Sequence, residues 1–105
     1  MNVDETLLNK VVRRVLAFTR PEKIILFGSA ATGNMTGDSD LDLLIVEKEP
    51  ANTRDRSVSI RRAVGDVQYP VDVIVMSGAR FSETKDLIGG IAYPANKYGR
   101  VLYEA

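Results

Sequence analysis

The sequence predicts an α/β (α+β) domain, a small mixed β-sheet with helices packed on it. Three observations predict it: apolar residues at helical spacing near the start, three short apolar runs of strand length, and a helix-length segment between the second and third runs. The 105 residues lead us to expect a single domain over 1–105 with one modest core.

Each element has its own signal. Leu7, Leu8, Val11, Val12, Val15 and Leu16 recur at helical spacing, Asn2 followed by Glu5 resembles a capping box, and Pro21 marks the end of that helix. Lys23 to Phe27 is a short apolar run with two isoleucines and reads as a strand. Residues 28–37 are turn-rich, with room for one helical turn. Leu41 to Val46 reads as a second strand. Pro50 and Asn52 then open a helix over about Thr53 to Val67, with Ile60, Ala63, Val64 and Val67 on its apolar side. Val71 to Met76 reads as a third strand. Ser82 is placed to cap a helix through about Ile88, Gly89-Gly90 and Pro94 leave the next stretch ambiguous, and Arg100 to Tyr103 is a candidate edge strand.

Composition narrows the chemistry. The chain has 14 Lys plus Arg and 14 Asp plus Glu, so no overall basic field points to DNA or an anionic membrane. With no Cys, disulfides, zinc–thiolate sites and thiol nucleophiles are excluded. With no His, the commonest general base is absent too, so catalysis would rest on carboxylates, hydroxyls, Lys, Arg or a hard metal. No signal-peptide pattern or membrane-length apolar run is present, and a cytoplasmic protein is the simplest reading.

The most informative feature is Gly28-Ser29, ten residues, then Asp40-Leu41-Asp42. Side chains at i and i+2 of a strand lie on one face. At a separation of ~5 Å and an effective dielectric of ~20, two carboxylates repel by roughly 3 kcal/mol. A divalent cation reverses that sign, and hard oxygen ligands suit magnesium. Gly28-Ser29 offers a tight turn whose amides can face phosphate oxygens. If the first two strands are antiparallel neighbours, Gly28-Ser29 meets Asp40 and Asp42. If the second and third run parallel, with the Thr53–Val67 helix as crossover, Asp72 joins them.

Phe27-Gly28-Ser29, Asp40-x-Asp42 and the later Val71-Asp72-Val73 resemble the nucleotidyltransferase superfamily of DNA polymerase beta. The chain is most similar to its minimal members, usually paired with HEPN-domain proteins, and the resemblance runs through the ending Tyr98-Gly99-Arg100-Val101-Leu102-Tyr103-Glu104. It implies an α-β-α-β-α-β core and one minimal catalytic domain. It further implies that Asp40, Asp42 and Asp72 are catalytic and hold two magnesium ions, with Gly28 and Ser29 on the β- and γ-phosphates of ATP. The implied reaction is transfer of AMP to a tyrosine of a HEPN toxin, with this chain as antitoxin. Larger relatives carry a second domain for the acceptor, so an acceptor site is expected from another subunit or protein, and self-association stays open. The chain departs from the pattern in one respect. Relatives carry a basic residue soon after Gly-Ser, whereas this chain has Ala30-Ala31-Thr32-Gly33 and no Lys or Arg between Lys23 and Lys48. Arg54, Arg56, Arg61 and Arg62 are the candidates to replace it, with Arg54 the nominated nucleotide contact. Two alternatives stand beside the transferase reading, a non-catalytic binding module and a small-molecule nucleotidyltransferase. A nucleic-acid polymerase fits poorly without a basic stripe. Tyr69, Tyr93, Tyr98 and Tyr103 read as core or interface residues.

Overall fold

The computed structural model describes residues 3–105. Helix α1 (Glu5–Phe18) opens the fold and buries Leu7, Leu8, Val11 and Val15, the stripe its periodicity predicts. Its cap is Asp4, whose carboxylate accepts the Thr6 amide at 2.9 Å. This corrects the expected Asn2–Glu5 capping box; Asn2 itself lies outside the described residues. An aspartate next to the first helical residue satisfies a free amide and complements the positive end of the helix.

Strand β1 (Lys23–Phe27) leads into a single-turn helix, α2 (Ser29–Thr32). Strand β2 (Leu41–Glu47) is followed by α3 (Thr53–Val64), capped by Asn52. Helix α3 stops three residues before the expected Val67 because Gly65 takes φ 67°, a backbone that carries the chain out of the helix. Strand β3 (Val71–Ser77) runs straight into α4 (Gly78–Thr84). Ser77, and not Ser82, caps that helix, with its hydroxyl accepting the Arg80 amide at 3.1 Å. Ser77 prevails because a helix starting there buries Phe81. The ambiguous stretch resolves into α5 (Ala92–Tyr98), which holds Pro94 in its first turn, where no amide is needed, and ends at Gly99. Strand β4 (Arg100–Glu104) closes the chain as the candidate edge strand.

The sheet order is β3-β2-β1-β4. Strand β1 pairs antiparallel with β2 and with β4, whereas β2 and β3 are parallel and joined through α3. Both pairings are those the motif spacing requires. Alternation along the strands then divides the core in two. Ile24, Leu26, Leu41, Leu43, Ile45, Val71, Val73 and Val75 pack with the buried faces of α1 and α3. On the opposite face Ile25, Leu44 and Val46 pack with Phe81, Ala92 and Ala95 from α4 and α5. Each fully buried Leu or Ile contributes about 1.5–3 kcal/mol, so the α1/α3 face carries the larger share of the stability. No helix among the described residues is long and apolar enough to cross a membrane.

Candidate functional site

On β2, Asp42 alternates with Leu44 and Val46 and therefore faces the α4/α5 side. On β3, Asp72 shares that side with Ile74 and Met76. Parallel register sets Asp42 directly beside Asp72, on strands about 4.8 Å apart. Neither carboxylate enters the apolar cluster beneath α4 and α5; both lie beyond its edge, at the start of their strands.

Gly28 completes the corner. The antiparallel register places Phe27 opposite Asp42, so the turn after β1 comes back beside that carboxylate. A Cβ on Gly28 would sit 2.5 Å from Asp42 Oδ2, and the residue has φ 72° and ψ −154°, a region open essentially to glycine alone. Glycine is thus required twice here, for backbone shape and for close approach. Ser29 then opens α2, where the amides of Ser29 and Ala30 precede the first intrahelical bond, donated by Ala31 to the Gly28 carbonyl at 3.1 Å.

The charges at this corner are uncompensated. Burial raises the Asp42 pKa above the ordinary aspartate value, and the neighbouring Asp72 and then Asp40 carboxylates raise it further. Asp40 lies immediately before β2 and acts at Asp42 from there. None of the three acids takes part in an ion pair among the described residues. Three acidic oxygen donors with no cation partner suit a hard dication in kind. No group of three or more acidic side chains among the described residues is gathered closely enough to hold a metal ion as it stands.

Arg54 and Arg56 of α3 are not brought here. Arg54 lies in the first turn of α3, which comes after the Glu47 end of β2. Asp42 is five residues back along the strand, roughly 17 Å, and on the other face. Arg56 is committed to Glu47 and Thr19, with Nη2 2.7 Å from Glu47 Oε2 and 2.9 Å from Thr19 Oγ1. Arg61 donates from Nε to the Val71 carbonyl at 2.9 Å. A cavity lined by Arg61, Arg62, Gly65, Asp66 and Val71 opens beside α3 and includes none of the three acids. The sequence reading missed the Glu47–Arg56 pair, which joins a strand to a helix across nine residues and leaves no periodic trace.

The nucleotidyltransferase-domain family model matches residues 5–92, most of the chain and the whole of this corner. The chain belongs to the nucleotidyltransferase domain family. A crystal structure of a Sulfolobus solfataricus protein described as a nucleotidyltransferase is 24% identical to this nucleotidyltransferase-domain chain, with a TM-score of 0.64 over 94% of it and 78% of the other protein. A chain from a crystal structure of a toxin–antitoxin with AMP-PNP is 17% identical, with a TM-score of 0.61 over 93% of this chain and 73% of that one. At these identities the likeness is one of fold. No curated protein matches.

Proposed function

We propose that this nucleotidyltransferase-domain protein transfers AMP from ATP to a hydroxyl of a partner protein, a tyrosine of a HEPN-domain toxin, and acts as its antitoxin. The observation that carries the chemistry is the register pairing of Asp42 with Asp72 beside Gly28, in a chain of this family. The toxin–antitoxin neighbour with AMP-PNP supports the choice of an adenine nucleotide and a protein partner.

In this reading Asp40, Asp42 and Asp72 would hold magnesium. When bound, the metal would supply positive charge to offset the charge that develops on the phosphate oxygens. The chain's own groups do the positioning. Gly28 leaves room for a phosphate to approach the backbone, and the Ser29 amide and hydroxyl donate to β- and γ-phosphate oxygens. Asp72, more exposed than Asp42, faces the acceptor and takes its proton. The acceptor oxygen bonds to the α-phosphorus as the bond to the pyrophosphate oxygen breaks, and pyrophosphate leaves.

A second reading, a non-catalytic module that neutralises its partner by binding, is favoured by the absence of Lys and Arg between Lys23 and Lys48 and by acids not yet gathered to ligating distance. One experiment separates the two. The protein is incubated with magnesium, α-labelled ATP and a co-purifying HEPN protein, and the partner's mass is measured. The transferase reading predicts a gain of one or more AMP units that Asp42→Asn abolishes. Tight binding without transfer, unaffected by Asp42→Asn, rejects it in favour of the binding module.

A further inference from the structure

Gly28 and the two paired acids lie in a line across the sheet, and a cationic cavity stands at the end of that line. Gly28 follows Phe27, which is opposite Asp42, and Asp42 is beside Asp72. The order across the sheet is therefore Gly28, Asp42, Asp72, with β3 as the edge strand. The Pro70 carbonyl accepts the Leu41 amide at 2.9 Å and so points to β2. The next carbonyl, of Val71, points the opposite way, out of the open edge. Arg61 Nε donates to it at 2.9 Å. A carbonyl oxygen lies about 2.8 Å from the Cα of the following residue, so Arg61 Nε is within about 6 Å of the Asp72 Cα. It stands on the side of Asp72 away from Gly28.

Arg61, Arg62, Gly65, Asp66 and Val71 line a cavity of about 210 Å³ at this edge. Arg14 stands behind it, its Nη1 donating to the Val64 carbonyl at 2.6 Å and lying 3.6 Å from where a Cβ on Gly65 would be. Among the described residues no ion pair includes Arg14, Arg61 or Arg62, and Asp66 is paired with none of them. Arg61 spends its Nε on Val71, which aims its two Nη groups as a preset fork of the kind that takes a carboxylate. The volume is below the roughly 300–1,000 Å³ of small-molecule sites and suits a single side chain. A nucleic-acid backbone would need a track of cations, whereas the cavity that shares Asp66 with this one brings Asp4 and one lysine, Lys10. On the edge itself Ser57 Oγ already accepts the Val75 amide at 3.1 Å, so a partner meets β3 through side chains and not as an added strand.

We propose that the Arg61–Arg62 cavity takes an acidic side chain of the acceptor protein and so brings the acceptor hydroxyl to Asp72. The assignment rests on the transfer reading above and supplies the acceptor side of that site. Arg61 and Arg62 are then specificity-determining residues that touch the acceptor protein and not the nucleotide. At about 3.5 Å per residue of extended chain, the acidic residue that docks lies within about three positions of the acceptor tyrosine.

The test is equilibrium binding, at low salt, of an end-labelled tyrosine peptide flanked by glutamates and of the same peptide flanked by glutamines. The proteins are the parent, Arg61→Ala, Arg62→Glu and, as a charge control, Arg20→Glu, which lies in a separate cavity beside Glu47. Circular dichroism confirms the fold of each, and Arg62, exposed and in no ion pair among the described residues, keeps the test open if Arg61→Ala unfolds. The parent is expected to prefer the glutamate peptide about tenfold. Arg61→Ala and Arg62→Glu should lose that preference, Arg20→Glu should keep it, and Arg62→Glu should bind magnesium–AMP-PNP within about twofold of the parent. Equal binding of the two peptides by the parent, or a preference that survives Arg62→Glu, overturns the assignment and leaves AMP transfer to be judged by Asp42→Asn. An equal loss in Arg20→Glu reduces the effect to overall charge and also overturns it. So does weakened AMP-PNP binding in Arg62→Glu, which would make the cavity a nucleotide contact, or tighter binding of a labelled oligouridine that Arg62→Glu abolishes. If the glutamate preference follows Arg62 and no AMP is transferred, the docking site stands and the transfer reading falls.

Discussion

The two ends of β2 carry carboxylates with opposite surroundings. At its far end Glu47 is 7% exposed and fully answered: Arg56 donates from Nε and Nη2 at 3.0 and 2.7 Å, and Thr19 Oγ1 donates at 2.6 Å. Those hydrogen bonds, Arg56 first, hold the Glu47 carboxyl below the usual glutamate range in spite of its burial. At the near end Asp42 has two acidic neighbours and no ion-pair partner among the described residues, and its pKa is pushed the other way. One strand thus ends in a closed electrostatic lock and begins in an open one. A carboxylate kept in a half-buried place beside others raises the energy of the folded chain unless a cation arrives. That is the physical case for reading the near end as the site and the far end as structure.

Substitutions at the two ends should separate activity from stability. Asp42→Asn, and equally Asp72→Asn, is expected to lower AMP transfer about 100-fold or more while leaving the melting temperature unchanged or raised. Arg56→Ala should do the reverse. It strands a buried Glu47 and removes the guanidinium from over the Phe18 ring, where it sits 5.3 Å from the centroid. We expect a loss of about 2 kcal/mol in urea denaturation, with nucleotide binding intact. Gly28→Ala acts on both properties. Its strained backbone costs about 1–2 kcal/mol, and its methyl group collides with Asp42 Oδ2, so stability and nucleotide affinity fall together.

The smallest effect is on pH dependence, where the two ends again oppose each other. Glu47 has a lowered folded pKa, so its contribution to stability is present above the unfolded value of 4.5 and lost as pH falls through the folded value. Asp42 has a raised one, so in the metal-free protein it costs stability as pH rises from the unfolded value of 3.8 through the folded value, and the cost is complete above that. Thermal denaturation between pH 3 and 8 should therefore find Asp42→Asn gaining on the parent as pH rises. The two proteins should converge at the acid end.

Much of this architecture is readable from the residues. The apolar runs at Lys23–Phe27, Leu41–Val46 and Val71–Met76 mark the central strands, because burial on both faces of a sheet leaves little room for polar alternation. The Gly28-Ser29 to Asp40-x-Asp42 spacing required an antiparallel pair, and Asp72 required a parallel one. Local competition hid other features. Ser77 and Ser82 are both plausible caps, and only the packing of Phe81 decides between them. Gly89-Gly90 and Pro94 look like breakers, yet Pro94 falls where a helix tolerates proline. That concealed α5. Arg54 is nominated because no Lys or Arg lies between Lys23 and Lys48 and the next helix carries arginines. The direction of α3, which starts at the far end of β2 on the opposite face, was what that reasoning lacked.

Whether the near end of β2 receives a metal–nucleotide can be decided by carboxyl carbon NMR of the aspartates and glutamates during titration with magnesium and AMP-PNP. The Asp42 and Asp72 resonances should shift on saturation, and the Asp42 pKa should drop from its raised value to below the ordinary aspartate range, while Glu47 stays where it is. Saturating magnesium–AMP-PNP that leaves Asp42 and Asp72 unmoved would refute a nucleotide site at this corner.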